Sequence, residues 1–380
     1  MTRLTEGDRN RNGMKEKIDI GGTAVVILNW NGRHYLEQFL PPLLKSVAWL
    51  NSTGGSSYGH SEVIVADNAS TDGSMEMMSE KFPDVRTMVF DRNYGFTGGY
   101  NRAFGRISCK YFLLINSDIE VPEQWLAPLA ECMETDPSCG ICAPKLHSWQ
   151  DKEMFEYAGA AGGYMDRFGY PFCRGRVMKK LERDSGQYDD PADVFWATGA
   201  CLMIRSSVWR ELGGLDDRFF AHMEEIDLCW RAQLAGWRVR VIPASTVYHI
   251  GGGTLPQNSP WKLYLNFRNN LMMLDNNLAM TYALGMSPEK AVRKARRTIF
   301  VRMLLDGGAA GVYLLALRFR YFKAVVRAHR DFRRLRKSTD AVAVRDYIEK
   351  SQAKGHAPAV KGFYNGCMIP RALLGIRIKF

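Results

Sequence analysis

The sequence predicts an α/β protein, with a mostly parallel sheet flanked by helices and a C-terminal helical extension. Short β-branched runs alternate with amphipathic stretches in the first half of the chain, as is typical of parallel strands joined by crossover helices. Residues 157–176 are rich in glycine and aromatic side chains, which indicates an irregular segment lining a site. From residue 261 onward the pattern is that of helices with basic faces.

The individual elements follow in chain order from the same patterns. Continuous apolar runs predict strands covered on both faces, at 23–30, 62–67, 85–90 and 111–116. Amphipathic stretches predict helices at 34–49, 72–81 and 222–235, and strand-like order returns at 194–205 and 238–248. The Gly/Ser-rich residues 51–61 are expected to form a surface loop. We expect a flexible N-terminus at 1–20, a globular domain at 21–258 and a basic helical region at 259–380.

Charge is spread unevenly along the 380 residues, which carry a net charge of +11. Lys and Arg concentrate at 290–337, whereas most acidic residues precede that stretch. This asymmetry indicates an anionic partner for the C-terminal region, either a lipid surface or phosphate groups. No nucleic-acid-binding motif accompanies the basic residues, so we expect no nucleic-acid partner.

Cysteine usage and hydropathy indicate a cytoplasmic protein. Eight scattered cysteines are too sparse for a disulfide scaffold, so reduced thiols are expected. Residues 1–17 are polar and carry no secretory signal. The most apolar window, 303–317, contains Asp306 and three glycines and falls short of the ~20 apolar residues needed to span a bilayer.

Polar side chains stand at or just after the ends of three predicted strands. Asp67 and Asn68 follow EVIVA, Asn116 and Asp118 end YFLLINSD, and His249 closes STVYH. Ligands of open α/β sheets bind at the carboxyl ends of strands, so Asp67 is a candidate for contacting a base or ribose. Asp118 is a candidate ligand for Mg²⁺ or Mn²⁺, and a neutral His249 would complete that site. The alternatives are turn-building and capping at 67–72, a turn aspartate and a structural histidine.

Two further segments carry candidate chemistry. Residues 92–101 (RNYGFTGGYN) form a glycine-bearing loop entering a helix, where amides near Asn93, Gly98 and Asn101 can face an anion. The segment MEEIDLCWR places three carboxylates at the start of a helix, of which the helix dipole explains one or two. Either Glu224 or Glu225 is a candidate general base.

Together and in this order, these segments resemble the glycosyltransferase family 2 enzymes with the GT-A fold, particularly the rhamnosyltransferase-like members. The matching pieces span about residues 24–253 and read VVILNWNG, VIVADNASTDGS, NYGFTGGYN, FLLINSD, ATGACLMIR, GGLDDRFFAHMEEIDLCWR and VYHIGGG. The resemblance implies a GT-A fold, with a mixed, mostly parallel sheet flanked by helices, and a nucleotide-diphosphate sugar as donor.

The resemblance also implies roles for individual residues. Asp67 would contact the nucleotide base with Asn29 nearby, and Asn116 and Asp118 would form the D-x-D-like element. Asp118 and His249 would then be the ligands of a divalent cation, Mg²⁺ or Mn²⁺. The residues expected to bind the nucleotide or donor are Asn29, Asp67, Asn68, Asn93, Gly98, Asn101, Asn116, Trp196 and Gly199.

The acidic pair departs from the family pattern. Glu224 and Glu225 fall where relatives usually have Glu-Asp, and the longer second side chain moves its carboxylate. This leaves the choice of base open, and we favour Glu225. Trp196 and Gly199 lie where relatives shape the donor and acceptor pocket.

The implied activity is inverting, metal-dependent transfer of a sugar to a hydroxyl of a glycan or lipid-linked glycan acceptor in cell-surface polysaccharide synthesis. A polyprenyl-phosphate sugar synthase and a catalytically inactive nucleotide-sugar-binding module stay open as alternatives. The sugar is open between rhamnose on a thymidine-diphosphate donor and a hexose or galactofuranose on a uridine-diphosphate donor.

The C-terminal region lies outside the strong part of the resemblance. Its cations, such as Arg318, Arg320 and Lys323, stand beside Leu317 and Phe319. This composition suits an anionic membrane surface, so we expect a peripheral protein on the inner face of the cell membrane. A solvated basic bundle used for self-association is the alternative.

Overall fold

The computed structural model describes residues 17–53, 55–177, 180–251, 259–353 and 358–368. The strands are β1 (Ile18–Asp19), β2 (Thr23–Asn29), β3 (Glu62–Asp67), β4 (Arg86–Val89), β5 (Ile107–Ser108), β6 (Tyr111–Ile115), β7 (Ile119–Glu120), β8 (Cys139–Ser148), β9 (Gly163–Asp166), β10 (Pro171–Cys173), β11 (Arg176–Val177), β12 (Lys180–Leu181), β13 (Ala192–Asp193), β14 (Cys201–Arg205), β15 (Arg238–His249) and β16 (Phe363–Tyr364). The helices are α1 (Arg33–Thr53), α2 (Gly55–Tyr58), α3 (Ser74–Lys81), α4 (Gly95–Phe104), α5 (Leu126–Thr135), α6 (Ser206–Leu212), α7 (Glu224–Leu234), α8 (Pro260–Ala283), α9 (Pro288–Leu315), α10 (Phe319–Leu335) and α11 (Ala341–Ala353).

A mixed central sheet organises the molecule. Its strand order is β13-β15-β8-β14-β6-β2-β3-β4, with β7 paired to β15. Strand β2 is parallel to β3 and β6, and β3 is parallel to β4. Strand β14 runs antiparallel to both β6 and β8, whereas β8 and β15 are parallel. The pairing aligns Asn29 with Asp67, so the carboxyl ends of β2 and β3 stop at the same level of the sheet.

Helices cover both faces of the sheet, which explains why its strands carry continuous apolar runs. Along β2, Val25 and Ile27 pack on the face covered by α1 and α5, and Ala24 and Val26 pack on the opposite face. The alternation follows from the two-residue period of a strand. Each face therefore has its own hydrophobic core.

The predicted strands and helices of the first half are confirmed within a few residues. The predicted loop at 51–61 is wrong in part, because buried Leu50 extends the apolar face of α1 and the helix continues to Thr53. Asn51 then holds the chain, since its side chain exchanges two 2.9 Å hydrogen bonds with the backbone of Ser61. Strand β8 was not predicted because buried Lys145 interrupts its apolar run; the lysine is neutralised by Asp184 at 2.6 Å.

Two other expectations need correction. The expected flexible N-terminus reaches too far, because β1 pairs with β5 and buries Ile20 beside it. The expected irregular segment 157–176 contains strands β9 and β10, because Gly169 and Gly175 adopt positive φ angles of 79° and 85° and permit tight turns. The predicted domain boundary at 258 lies outside the described residues.

The C-terminal helices pack on the α/β domain. Residues of α8 and α9, such as Leu271 and Ile299, belong to the same buried cluster as Ala24 and Val26 of the central sheet. The last described strand, β16, pairs with β9 of a small five-stranded sheet. Helices α8 and α9 and the sheet therefore share one core.

Candidate active site

A cavity of about 500 Å³ opens at the carboxyl ends of the central strands. It brings together eight of the residues singled out in the sequence, namely Asn68, Asn93, Asn116, Asp118, Gly199, Glu224, Glu225 and His249. The first four come from the loops that follow β3, β4 and β6, and Gly199 precedes β14. The two glutamates begin α7, and His249 ends β15. Residues far apart in the chain therefore converge where the sheet topology predicts a ligand site.

Five of the predicted residues lie outside the cavity lining, namely Asn29, Asp67, Gly98, Asn101 and Trp196. Asp67 is buried beneath it, where its Oδ1 accepts from Asn29 Nδ2 at 2.9 Å and its Oδ2 accepts from Ser70 N at 2.9 Å. Asn101 braces another loop, because it donates to Leu215 O and accepts from Leu215 N. These three side chains build the walls of the site from behind.

The other two residues are held by packing. Trp196 is buried and its indole N–H donates to Tyr164 O at 3.0 Å. Gly98 lies inside α4, where a Cβ atom would come within 3.0 Å of Tyr94 Cβ. Neither residue faces the cavity in this structure.

Asn68 and Asn93 shape the glycine-bearing loop. Asn68 Nδ2 donates to Gly95 O at 2.9 Å, and Asn68 Oδ1 accepts from Tyr94 N. Asn93 Oδ1 accepts from Gly95 N at 2.8 Å, directly before α4 begins. The predicted entry of this loop into a helix is confirmed, and the first turn of α4 borders the cavity.

Asp118 and His249 form a buried pair at the cavity wall, with Asp118 Oδ1 lying 3.2 Å from His249 Nε2. Burial alone raises the pKa of Asp118, but the hydrogen bond and charge of His249 outweigh it and hold the pKa below its usual value. Burial likewise lowers the pKa of His249, but the two carboxylates beside it raise the pKa to about 10. Asn116 Nδ2 lies 3.4 Å from the same Nε2 atom.

The second carboxylate beside His249 belongs to Glu156, which sequence reasoning missed. Its Oε1 lies 3.5 Å from His249 Nδ1, and its Oε2 accepts from Ala158 N. Gly251 leaves room for it, because a Cβ there would come within 2.9 Å of Glu156 Oε1. A carboxylate behind a histidine fixes the orientation of the ring and raises its basicity. A lone Glu in an irregular segment gives no sequence signal for that contact.

The donor atoms of this pair suit a hard divalent cation. Asp118 offers a carboxylate oxygen, and His249 offers an imidazole nitrogen once a cation displaces its proton; both residues border the cavity. In the described ranges no group of three His, Cys, Asp or Glu side chains surrounds a single point. Mg²⁺ usually takes only one or two protein carboxylates and completes its shell with water and substrate phosphates. The residues present therefore fit a cation that is shared with a diphosphate.

Glu224 and Glu225 lie at the first turn of α7 and line the same cavity, and within the described ranges the Oε2 atom of each is buried without a hydrogen-bond partner. Burial, and then the charge of Glu225, raises the pKa of Glu224 well above its usual value. Burial also raises the pKa of Glu225, to about 7. Burial therefore favours the protonated form of both carboxyls, and it brings the pKa of Glu225 close to neutral pH. The third acid of the segment, Asp227, is fully buried and bound by Arg231 at 2.7 Å.

The loop before this pair has a strained backbone. Phe220, His222 and Met223 have positive φ angles of 67°, 70° and 72°. Non-glycine residues rarely adopt such angles unless the surrounding structure imposes them. Gly95 permits the arrangement, because a Cβ atom there would lie 2.5 Å from the Phe220 ring.

Two adjacent residues of α8 hold this loop in place. Asn269 Nδ2 lies 3.0, 2.8 and 2.7 Å from the carbonyl oxygens of Phe219, Ala221 and His222. Arg268 donates to Phe219 O at 2.7 Å and, through Nε, to Asn269 Oδ1 at 2.8 Å, which fixes the amide. Sequence reasoning missed this clamp, because it joins segments of different parts of the chain.

Two other lining residues were also missed. His222 Nε2 is buried without a partner, and burial, then the charge of Lys262, lowers its pKa to about 4. Lys262 itself lines the cavity next to Trp261, at the start of α8. The cavity lining therefore contains the neutral imidazole of His222 and the cationic Lys262 in addition to the acidic residues.

Comparison with known proteins identifies the family. The sequence model described as "Glycosyl transferase family 2" matches residues 24–213, half of the chain. The chain belongs to glycosyl transferase family 2. It is a glycosyltransferase, and Glu224, Glu225 and His249 lie beyond the matched segment.

This glycosyltransferase is similar to an N-acetylglucosaminyl-diphospho-decaprenol L-rhamnosyltransferase of Mycobacterium tuberculosis. The two are 26% identical over 243 residues, which cover 59% of this chain and 75% of the relative. Among solved structures, GalNAc-T7 with UDP, GalNAc and Mn²⁺ matches with a TM-score of 0.53 at 17% identity, over 70% of this chain and 50% of the other. S. aureus TarS 1-349 in complex with UDP-GlcNAc matches with a TM-score of 0.51 at 14% identity, over 90% and 95%. The fold of this glycosyltransferase is GT-A, as the resemblance implied.

Replacing Asn269 tests the clamp on the strained loop. We expect Asn269→Ala to leave buried carbonyl groups unpaired, lowering the free energy of unfolding by about 2–3 kcal/mol. It should also lower kcat more than it raises KM, because the loop that carries Glu225 relaxes. Denaturant unfolding and steady-state kinetics measure the two effects.

Asn51→Ala is the matched control, because Asn51 also makes buried backbone hydrogen bonds but is remote from the cavity lining. It should lower stability and leave kcat unchanged. An unchanged kcat in folded Asn269→Ala would contradict a positioning role.

Proposed function

We propose that this glycosyltransferase moves a sugar from a nucleotide-diphosphate sugar to a hydroxyl of a glycan or lipid-linked glycan acceptor, with inversion and with Mg²⁺ or Mn²⁺. It would act in cell-surface polysaccharide synthesis, on the cytoplasmic side of the membrane. The observation that carries the proposal is the position of Glu225, whose pKa is about 7 and whose Oε2 atom is buried without a partner among the described residues, in the same cavity as Asp118 and His249.

Each side of the cavity has its own part in the reaction. The cation would be held by Asp118 and His249, and it would balance the negative charge of the diphosphate leaving group. Glu225 accepts the proton of the acceptor hydroxyl, whose oxygen attacks the anomeric carbon. The bond from that carbon to the diphosphate oxygen breaks, and its electron pair leaves with the nucleoside diphosphate. A single displacement of this kind inverts the anomeric configuration.

The titration of Glu225 favours a hydroxyl acceptor over a polyprenyl phosphate. A phosphate acceptor is already ionised at neutral pH, whereas a hydroxyl must lose a proton during attack. A carboxyl with a pKa near 7 is well matched to that transfer. The same observation favours an active enzyme over an inactive binding module, because the Glu at this position keeps a functional base.

The relatives support the substrate classes without identifying them. The mycobacterial relative is named for transfer of L-rhamnose to a diphospho-decaprenol-linked sugar. GalNAc-T7 and TarS were solved with UDP or UDP-GlcNAc. The first experiment is therefore to measure nucleoside-diphosphate release from a panel of nucleotide sugars with Mg²⁺, Mn²⁺ or EDTA, in the presence of glycan and lipid-linked acceptors.

Replacing the two glutamates separately identifies the base. We expect Glu225→Gln to lower kcat by about 10²–10⁴-fold, the usual contribution of a general base, with little change in donor affinity. Glu224→Gln is the matched control, because it makes the same substitution at the neighbouring buried carboxyl, and it should retain most activity. Kinetics and calorimetric donor binding check both variants. The reverse order of effects would assign the role to Glu224.

The pH dependence follows from the same carboxyl. Below about pH 7 Glu225 is protonated and cannot accept a proton, so kcat/KM should fall roughly tenfold per pH unit as the pH drops. The residual activity of Glu225→Gln should lack this acid limb. An identical acid limb in both proteins would show that another group controls the rate.

Replacing Asp118 tests the metal site independently of turnover. We expect Asp118→Asn to weaken Mn²⁺ binding in the presence of a nucleoside diphosphate by at least about tenfold, because one of two protein ligands loses its charge. Glu120→Gln is the control, since Glu120 lies nearby but pairs with Lys152. Titration calorimetry measures the affinity, and equal Mn²⁺ binding by Asp118→Asn and wild type would remove Asp118 from the site.

A further inference from the structure

One side of α9 presents a continuous apolar stripe to solvent. Phe300, Leu304 and Leu315 share this side at helical spacing and are 62%, 59% and 86% exposed. Gly308 and Gly311 lie between them, and a Cβ added at either would meet no atom within 4 Å. An apolar stripe of this length on the surface indicates an interaction site.

The opposite side of α9 is fixed to the protein by a buried ion pair. Arg302 Nε contacts Asp306 Oδ1 at 2.8 Å, and both side chains are almost fully buried. Arg302 Nη1 also donates to Phe168 O at 2.8 Å and to Asn270 Oδ1 at 2.5 Å. These contacts tie α9 along the side of the domain.

Among the described helices, α9 alone is long and apolar enough to cross a membrane by length and composition. A spanning α9 would give up the contacts of Arg302 and carry a charged pair into hydrocarbon, which is costly. The apolar stripe of α9 faces outward and its Arg302–Asp306 pair faces inward. This arrangement instead favours a helix that lies in the plane of a membrane–water interface.

Exposed cations lie at the N-terminal end of the apolar stripe and on the outer side of α10. Arg293 and Arg297 continue it toward the start of α9, and on α10 the residues at helical spacing on the outer side are Arg320, Lys323, Arg327, Arg330 and Arg334. Within the described part of the chain, Arg293, Arg297, Arg320 and Lys323 have no carboxylate partner. Such a combination of apolar and basic side chains matches an anionic lipid surface, whereas two copies of the same basic face would repel each other.

The basic side of α10 leads to the mouth of the active-site cavity. The guanidinium of Arg327 lies 4.8 Å from the ring centre of Tyr264 and 5.9 Å from that of Trp261. Trp261 is 40% exposed and lines the cavity. A surface that contacts α10 therefore also lies next to the opening of the site.

We propose that the outer sides of α9 and α10 dock on an anionic bilayer, with α9 lying in the plane of the interface. The cavity mouth beside Trp261 then faces the lipid headgroups. A lipid-anchored acceptor reaches the cavity by diffusing in the membrane; this last step rests on the proposed transferase function, whereas the docking does not.

Vesicle binding by the full-length protein tests the docking surface. Vesicles of phosphatidylcholine alone and of phosphatidylcholine with 30% phosphatidylglycerol, about a physiological anionic fraction, are compared by co-sedimentation. We expect selective binding to the anionic vesicles that weakens with added salt. The double variants Leu304→Asp/Leu315→Asp and Arg320→Glu/Lys323→Glu should each weaken it by at least about tenfold.

Two more variants make the test specific. Val89→Asp, at an exposed apolar residue of β4, is the control and should bind as wild type does. Gly308→Leu adds an apolar side chain in open space and should strengthen binding by about tenfold. Equal binding to both vesicle types, or no effect of the double variants, would overturn the proposal. Self-association that Leu304→Asp/Leu315→Asp abolishes, without vesicle binding, would overturn it in favour of a second copy.

Transfer to a water-soluble acceptor separates this proposal from the proposed function. The two double variants should retain wild-type transfer to such an acceptor, because their residues lie outside the cavity lining. Vesicle binding without any transfer by wild type would count against the proposed function and leave the docking surface standing.

Discussion

The cost of burying ionisable groups is the constraint on which this active site depends. Several such groups line one cavity, and the structure resolves the cost differently for two pairs of them. Asp118 and His249 are buried together with Glu156 behind the ring, so opposite charges satisfy one another. Glu224 and Glu225 have no cation in contact, so burial raises the pKa of each. Asp118 and His249 therefore stay charged, whereas burial favours the protonated form of Glu224 and Glu225.

That division gives the two pairs different chemical abilities. A charged carboxylate and an imidazole at the strand ends can hold a cation against a diphosphate. A carboxyl that titrates near neutrality can take a proton from a hydroxyl. The cation-binding pair and the titrating carboxyl must not be in contact. A neighbouring cation would lower the pKa of that carboxyl and make it a weaker base. Neither Asp118 nor His249 contributes to the shift in the pKa of Glu225, which comes from burial.

The strained loop that carries the glutamates makes the C-terminal helices part of the active site. Backbone conformations such as those of Phe220, His222 and Met223 cost about 1–3 kcal/mol each, and that cost must be offset by contacts elsewhere. Asn269 and Arg268 supply the hydrogen bonds. The segment matched by the family model ends at residue 213, before both the loop and its clamp. The matched segment alone therefore lacks the groups that position the base.

Much of the fold and the cavity was predictable because it rests on local patterns. The strands ending at Asn29, Asp67 and Ile115 are continuous apolar runs, and the polar residues after them mark the edge of the sheet. The end of a strand marked His249 and the start of a helix marked Glu224 and Glu225, and the motif resemblance then implied their roles. Sequence reasoning placed Asp118, Asn68 and Glu225 at the site, and the structure brings them into one cavity.

The site residues that sequence reasoning missed or misplaced share one physical cause: each acts through contact with a distant part of the chain. Glu156 matters because it meets the far side of His249, and Asn269 matters because it meets three carbonyl groups of another segment. Asp67 was expected to contact a ligand because it ends a strand, and Asn29 was expected nearby because of the family resemblance. They bond to each other instead, since the register of β2 and β3 places them side by side. A single sequence shows strand ends but not which side chains pair across them.

Helix α8 connects the proposed docking surface to the candidate active site through two consecutive residues. Asn269 holds the loop before Glu225, while Asn270 accepts from Arg302 of α9 and donates to Gly169 O at 2.5 Å. Successive residues of a helix point about 100° apart, so one turn of α8 contacts both the catalytic loop and the anchor of α9. If α9 lies in a lipid interface as proposed, its depth sets the height of α8 above the bilayer, and with it the height of Trp261 and the cavity mouth. A rigid link of this kind would suit a lipid-anchored acceptor, whose hydroxyl is held at a fixed distance from the bilayer. Glu225 and the acceptor hydroxyl would then both be positioned relative to the bilayer surface.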